Sequence, residues 1–105
     1  MSVIYKNPIK EDLETENMYV KLPVGAKVLS VIVEGVSEAY IYAIVDPKEK
    51  EIKKEVLWLG TGWELTTDQE MKIMDYDYLG TYKAPNSDLI WHFWIEPTKN
   101  LLFEF

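Results

Sequence analysis

The sequence contains no cysteine, no arginine and a single histidine, His92. Each absence closes a class of function. Without cysteine there is no disulfide framework and no thiolate metal site, so a transition metal would need carboxylates for most of its ligands. The expectation is a protein with no metal and no cofactor, at home in a reducing cytoplasm, although a lack of cysteine is compatible with secretion as well. Without arginine the chain lacks the usual bidentate reader of phosphate and of guanine edges. Its formal net charge is −7 and all 11 of its cations are lysines, whereas nucleic-acid binding needs a concentrated positive surface that releases counterions. Nucleic acid is therefore not an expected partner. No apolar run approaches the roughly 20 residues that span a bilayer. Met1 to Lys10 also lacks a continuous apolar core, so neither a membrane partner nor a signal peptide is expected.

What is present is apolar, aromatic and punctuated. The chain has 105 residues, 48% of them hydrophobic, which fits one domain with one modest core. Short alternating runs alternate with turn chemistry. Val3 to Tyr5 opens the chain, a polar stretch follows to Asn17, and Met18 to Leu22 forms a strand stopped by Pro23. Lys27 to Glu34 alternates strongly, turns at Gly35 to Glu38 and returns as Ala39 to Val45, a predicted hairpin. Asp46 to Glu51 reads as a charged turn, Lys54 to Leu59 as a strand closed by Gly60-Thr61-Gly62. Thr67 to Glu70 offers an N-cap and an acidic first turn for one short helix. Asp75 to Lys83, Leu89 to Ile95 and Leu101 to Phe105 alternate again. The pattern predicts an all-β single domain over residues 1–105, an antiparallel β-sandwich or small barrel of 7–8 short strands.

Catalytic chemistry finds few carriers. His92 sits among bulky aromatics in Ile90-Trp91-His92-Phe93-Trp94, and no serine elbow motif accompanies it. It reads as a strand histidine satisfied by a partner, a ligand contact or, least of all, a base. Asp75 and Asp77 would share a strand face about 7 Å apart, a spacing that overlaps an inverting glycosidase pair and equally suits two solvated carboxylates. The chain is not expected to be an enzyme. Gly60-Thr61-Gly62 allows positive φ and close backbone approach, either as a tight turn or as a nest of N–H groups for an anion. Four tryptophans and seven tyrosines exceed what one small core can hide. In Ala39 to Val45 and Leu89 to Ile95 both strand faces are apolar or aromatic, so one face of each must meet a helix, a second subunit or a ligand.

Ile4-Tyr5-Lys6, Leu22-Pro23-Val24-Gly25-Ala26-Lys27-Val28-Leu29, Tyr42-Ala43-Ile44-Val45-Asp46, Gly60-Thr61-Gly62, Tyr78-Leu79-Gly80-Thr81 and Trp91-His92-Phe93 occur in an order that resembles a family of short phage and prophage proteins of unknown function. Trp63 stands where members of that family usually carry a histidine, and the acidic stretch Glu11 to Glu16 is longer here. The resemblance implies a phage accessory protein acting in the cytoplasm of a bacterial host, and such proteins include oligomeric sponges for nucleotide immune signals. The leading expectation is a non-enzymatic homo-oligomer that sequesters a small ligand, a cyclic or ADP-ribose-type nucleotide, to counter host defence. Trp63, Trp91, His92, Tyr40 and Tyr42 would stack on or orient the ligand, Gly60, Thr61 and Gly62 would approach a phosphate, and Lys6 or Lys27 would neutralise it. The alternative is a protein-binding or structural role, as a virion component or an inhibitor of a host protein. A carbohydrate platform built on Trp58, Trp91 or Trp94 is a third, weaker reading.

Overall fold

Alternation decides the architecture, and strand β5 (Glu38–Val45) shows it most plainly. Ala39, Ile41, Ala43 and Val45 are buried, while Tyr40, Tyr42 and Ile44 between them face the other way and are half-buried. In the computed structural model, which describes residues 1–98, β5 is the centre of a three-stranded antiparallel sheet between β1 (Val3–Pro8) and β4 (Lys27–Gly35). The predicted hairpin of β4 and β5 is present, with irregular register between Val28 and Ser30.

The second sheet has five antiparallel strands in the order β2 (Lys10–Glu11), β3 (Met18–Pro23), β6 (Glu51–Gly60), β8 (Ile90–Ile95) and β7 (Asp77–Lys83). The two sheets meet face to face. Val31, Ile41, Val45 and Ala43 of the first sheet share one core with Val20, Leu22, Val56, Phe93 and Ile95 of the second. Asn7 is the buried polar exception, and its Nδ2 donates to the Tyr5 and Ile41 carbonyls at 3.1 and 3.0 Å, which removes the penalty of an unpaired amide. The sandwich expected from the sequence is the one observed. The strand expected at Leu101 to Phe105 lies outside the described residues.

Two expectations fail locally. The helix α1 runs Thr67–Asp75, capped one residue earlier than the sequence suggests and longer than expected. Thr66 is the N-cap: its Oγ1 accepts from the Gln69 N–H at 3.1 Å, and Gln69 Oε1 accepts from the Thr66 N–H at 2.9 Å. Because α1 consumes Asp75, that carboxylate and Asp77 do not share a strand face, and the paired-carboxylate idea lapses. The alternation expected over Asp75 to Lys83, which would put Tyr78, Gly80 and Tyr82 on one face, also fails. A register shift between Tyr78 and Gly80 inserts one residue, so Leu79 and Tyr82 pack on the core while Tyr78 stays exposed and bonds the Thr81 hydroxyl.

Candidate functional site

One end of the sandwich is open and lined by indoles. Strands β6 and β8 pair as Val56 with Ile95, Trp58 with Phe93 and Gly60 with Trp91, which sends all of these toward the interior. Phe93 is fully buried, but Trp58 beside it is only half-buried, so the cover given by the smaller sheet ends there. Beyond Gly60 the chain doubles back. The Trp63 N–H donates to the Gly60 carbonyl at 3.2 Å, and Gly62 takes φ +87°, a left-handed value that favours glycine. The turn lays the Trp63 indole on Gly60. A Cβ at Gly60 would lie 2.6 Å from Trp63 Cε2, so a side chain there would collide with the ring.

Trp91 is the hinge of the arrangement. Trp63 meets it edge-on at 5.5 Å and 78°, and Trp58 meets it at 5.7 Å and 85°, the perpendicular geometry that indole quadrupoles favour. Its Nε1–H donates to the Val36 carbonyl in the turn between β4 and β5 at 3.1 Å, which fixes the ring. These tryptophans, with Glu11, Glu16, Met18 and Ser37, enclose a cleft of about 360 Å³. Glu11 reaches it because the Glu11–Met18 and Met18–Val56 pairings place its side chain on the interior face of the sheet. Glu16 reaches it from a tight loop closed by the Glu16 N–H on the Asp12 carbonyl at 2.7 Å, and it takes φ 62°.

The structure separates the residues that the sequence grouped into one site. Gly60, Gly62, Trp63 and Trp91 build the cleft. Thr61 and His92 lie on the opposite face of the same sheet, where Thr61 Oγ1 meets His92 Nε2 at 2.6 Å and Thr81 Oγ1 meets Nδ1 at 2.8 Å. Both ring nitrogens are thus held by threonine hydroxyls. A threonine–histidine contact has the outline of a nucleophile and base, but the third group is a hydroxyl and supplies no charge to an imidazolium. Lys6, Lys27, Tyr40 and Tyr42 belong to the outer face of the other sheet. There Lys6 Nζ bonds Glu34 at 2.8 Å and sits 4.1 Å over the Tyr40 ring, while Tyr40 Oη donates to Glu38 at 2.6 Å. The hydrogen bond to Glu34 holds the Lys6 pKa above its ordinary value, and that to Glu38 raises Tyr40.

Two features of the glycine turn expected to approach a phosphate are engaged within the fold. The close approach that Gly60 permits is taken by the Trp63 ring, and the Thr61 hydroxyl is taken by His92. Among the described residues no lysine lines the cleft. Sequence reasoning missed Glu11, Glu16, Met18 and Ser37, and it considered Trp58 only as a carbohydrate platform. The signal for Trp58 was its place two residues before Gly60 on an alternating strand; the others depend on pairings between distant segments. Among the described residues, no group of three or more His, Asp or Glu side chains is arranged to hold a metal ion. A second cavity of about 290 Å³ opens at the other end of β6, where burial pushes the Lys54 pKa down.

Over residues 1–101 the chain matches the family described as a domain of unknown function (DUF7352), and it belongs to that family. No curated protein and no solved structure matches it.

Proposed function

We propose that this member of the family is a non-enzymatic binding protein that holds one small ligand in its tryptophan cleft. The observation that carries this reading is Trp63. Its indole is 55% exposed, yet it is seated on a glycine that has no room for a side chain and is braced against Trp91. Large apolar rings exposed at a concave end, with polar groups at the rim, are the usual composition of a ligand pocket, and about 360 Å³ lies within the usual range of roughly 300–1,000 Å³. The threonine-held histidine on the opposite face supports a role without catalysis. The test is a thermal-shift and tryptophan-fluorescence titration against a panel of small ring compounds, amines and nucleotides. Ligand at a hundred times its Kd should add about 2.7 kcal/mol of stability, and Trp63→Ala should abolish the response. A panel in which no compound changes either signal ends the proposal.

The finer form of this reading is a phage-encoded homo-oligomer in the bacterial cytoplasm that sequesters a nucleotide signal and so counters host defence. A base stacked on Trp63 suits the cleft. The phosphates would have to reach cations outside it, since glutamates and not lysines line the walls. A second reading, a docking surface for protein, rests on a different observation. The outer face of the three-stranded sheet exposes Ile4, Leu29 and Ile32 beside Tyr40 and Tyr42, and apolar sheet faces of this kind favour partners. Light scattering of the protein and of Ile32→Lys separates the two, since self-association through that face would be lost in the variant.

A further inference from the structure

We propose that the tryptophan cleft selects a compact organic cation, of the methylated-ammonium class, and excludes anionic ligands. This rests on the cleft being a ligand site and adds the charge of the ligand. Three observations converge on it. First, the walls are indoles set edge-to-face: Trp58 and Trp63 stand at 85° and 78° to Trp91, with centroids 5.7 and 5.5 Å from it. Indole faces carry negative quadrupole potential, and a box of such faces is the arrangement that holds quaternary ammonium groups. Second, among the described residues the only ionisable side chains in the lining are the carboxylates Glu11 and Glu16. Among the described residues neither forms an ion pair, although Asp12 between them in sequence is neutralised by Lys53 at 2.6 Å. Third, Met18 and Ser37 complete the walls without adding a hydrogen-bond donor stronger than one hydroxyl. An anion in this cleft would meet ring faces and two like charges, with the chain's net charge of −7 behind them. A cation would be attracted by the indole faces and by both carboxylates.

The geometry also favours a group that does not need directed hydrogen bonds. A primary ammonium carries three donors and a tight hydration shell, so stripping it against indole faces leaves donors unpaired. Methylation removes the donors, spreads the charge over an apolar shell and lets the same faces supply dispersion contact. The carboxylates then act through space at the rim, an interaction that salt screens.

The experiment uses the full chain and three probes: choline, its neutral isostere of the same size, 3,3-dimethylbutan-1-ol, and the larger, anionic adenosine monophosphate. Intrinsic tryptophan fluorescence and thermal shift are recorded at low and at physiological salt. Choline should quench the emission and raise the melting temperature, with the isostere at least tenfold weaker. Affinity for choline should fall severalfold on raising salt. Glu11→Gln with Glu16→Gln should weaken choline about tenfold while leaving the isostere unchanged, and Trp63→Ala should abolish both. Equal binding of choline and the isostere, or binding of the nucleotide through Trp63, overturns the cation selectivity and leaves the cleft as the ligand site. Silence from all three probes, in both signals, overturns the selectivity and counts against the cleft itself.

Discussion

Two regions of this molecule are rich in aromatic rings, and their rings are treated in opposite ways. On the outer face of the three-stranded sheet the rings sit among paired polar groups: Lys6 bonds Glu34 and caps the Tyr40 ring, and Tyr40 donates to Glu38. In the cleft the indoles pack mainly on one another, and the nearby carboxylates are left without cations among the described residues. The first region is a satisfied surface and the second is an unfinished one. Aromatic content alone does not distinguish them. What does is the company each ring keeps, and a site is recognised by the interactions its residues lack.

The comparison can be broken most severely within the cleft itself. Trp91 is 8% exposed, joins the core and donates to Val36, whereas Trp63 is 55% exposed. Trp91→Ala should cost about 3–5 kcal/mol in urea unfolding, the usual loss for a buried large aromatic. Trp63→Ala should stay within about 1 kcal/mol of the parent while losing ligand response. Comparable destabilisation by both would make Trp63 a core residue and remove the case for an open wall.

Next in size are the glycines that hold Trp63 in place. Gly60→Ala puts a methyl 2.6 Å from the indole, so the ring must leave its seat, at a cost of about 1–3 kcal/mol for overpacking. Gly62→Ala meets nothing within 4 Å but must adopt φ +87°, a strain of roughly 1–2 kcal/mol. Both should destabilise, but only Gly60→Ala should shift the tryptophan emission and disrupt the wall of the cleft. Near-ultraviolet circular dichroism reports the difference directly.

How much of this could be read from the chain follows from where each feature is encoded. The strands β4 and β5 were legible because their alternation is local and unbroken. Strand β7 was only partly legible. The extra residue between Tyr78 and Gly80 resets the alternation, and nothing near Tyr78 announces it. The helix start was missed by one position because Thr66 and Thr67 are both competent caps, and the reciprocal bond to Gln69 chooses Thr66. For the site, Gly60 was recognised as a place of close approach, but a glycine does not state what approaches. Glu11 and Glu16 were visible only as part of an acidic stretch. Their arrival at the indoles depends on β2 pairing with β3 and β3 with β6, across more than forty residues of chain from Glu11 to Trp58.

The helix supplies a third region to set against the first two, because it is fastened by polar contacts. Tyr76 Oη donates to Glu55 at 2.7 Å and Lys72 bonds the same carboxylate at 2.8 Å, while no residue of α1 is buried. Burial first, then the bond to Glu55, raises the Tyr76 pKa well above its ordinary 10.0. A raised phenol holds its proton more tightly in the fold than in the unfolded chain. Its contribution is therefore complete below pH 10.0 and is lost as pH climbs from there toward the folded value. Tyr76→Phe should cost about 1–2 kcal/mol at neutral pH, as expected for a hydrogen bond to a charged group. It should also flatten the alkaline fall of the melting temperature above about pH 10. An unchanged alkaline limb would show that the phenol is not fastened to Glu55 in solution.

The smallest expected effect is the sharpest test of the contrast between the two aromatic regions. Lys6 is exposed, and its pairing with Glu34 is an ordinary surface ion pair whose attraction water largely screens. Lys6→Met keeps the length of the side chain and removes its charge, so the urea midpoint should not move measurably. The response of the cleft to any ligand should not move either, because Lys6 belongs to the outer face of the other sheet and is not among the residues that line the cleft. A nucleotide whose binding falls both in Lys6→Met and in Trp63→Ala would contradict this. It would mean that the two aromatic regions act on one ligand, which only a second copy of the chain, presenting its outer sheet face to this cleft, could bring about.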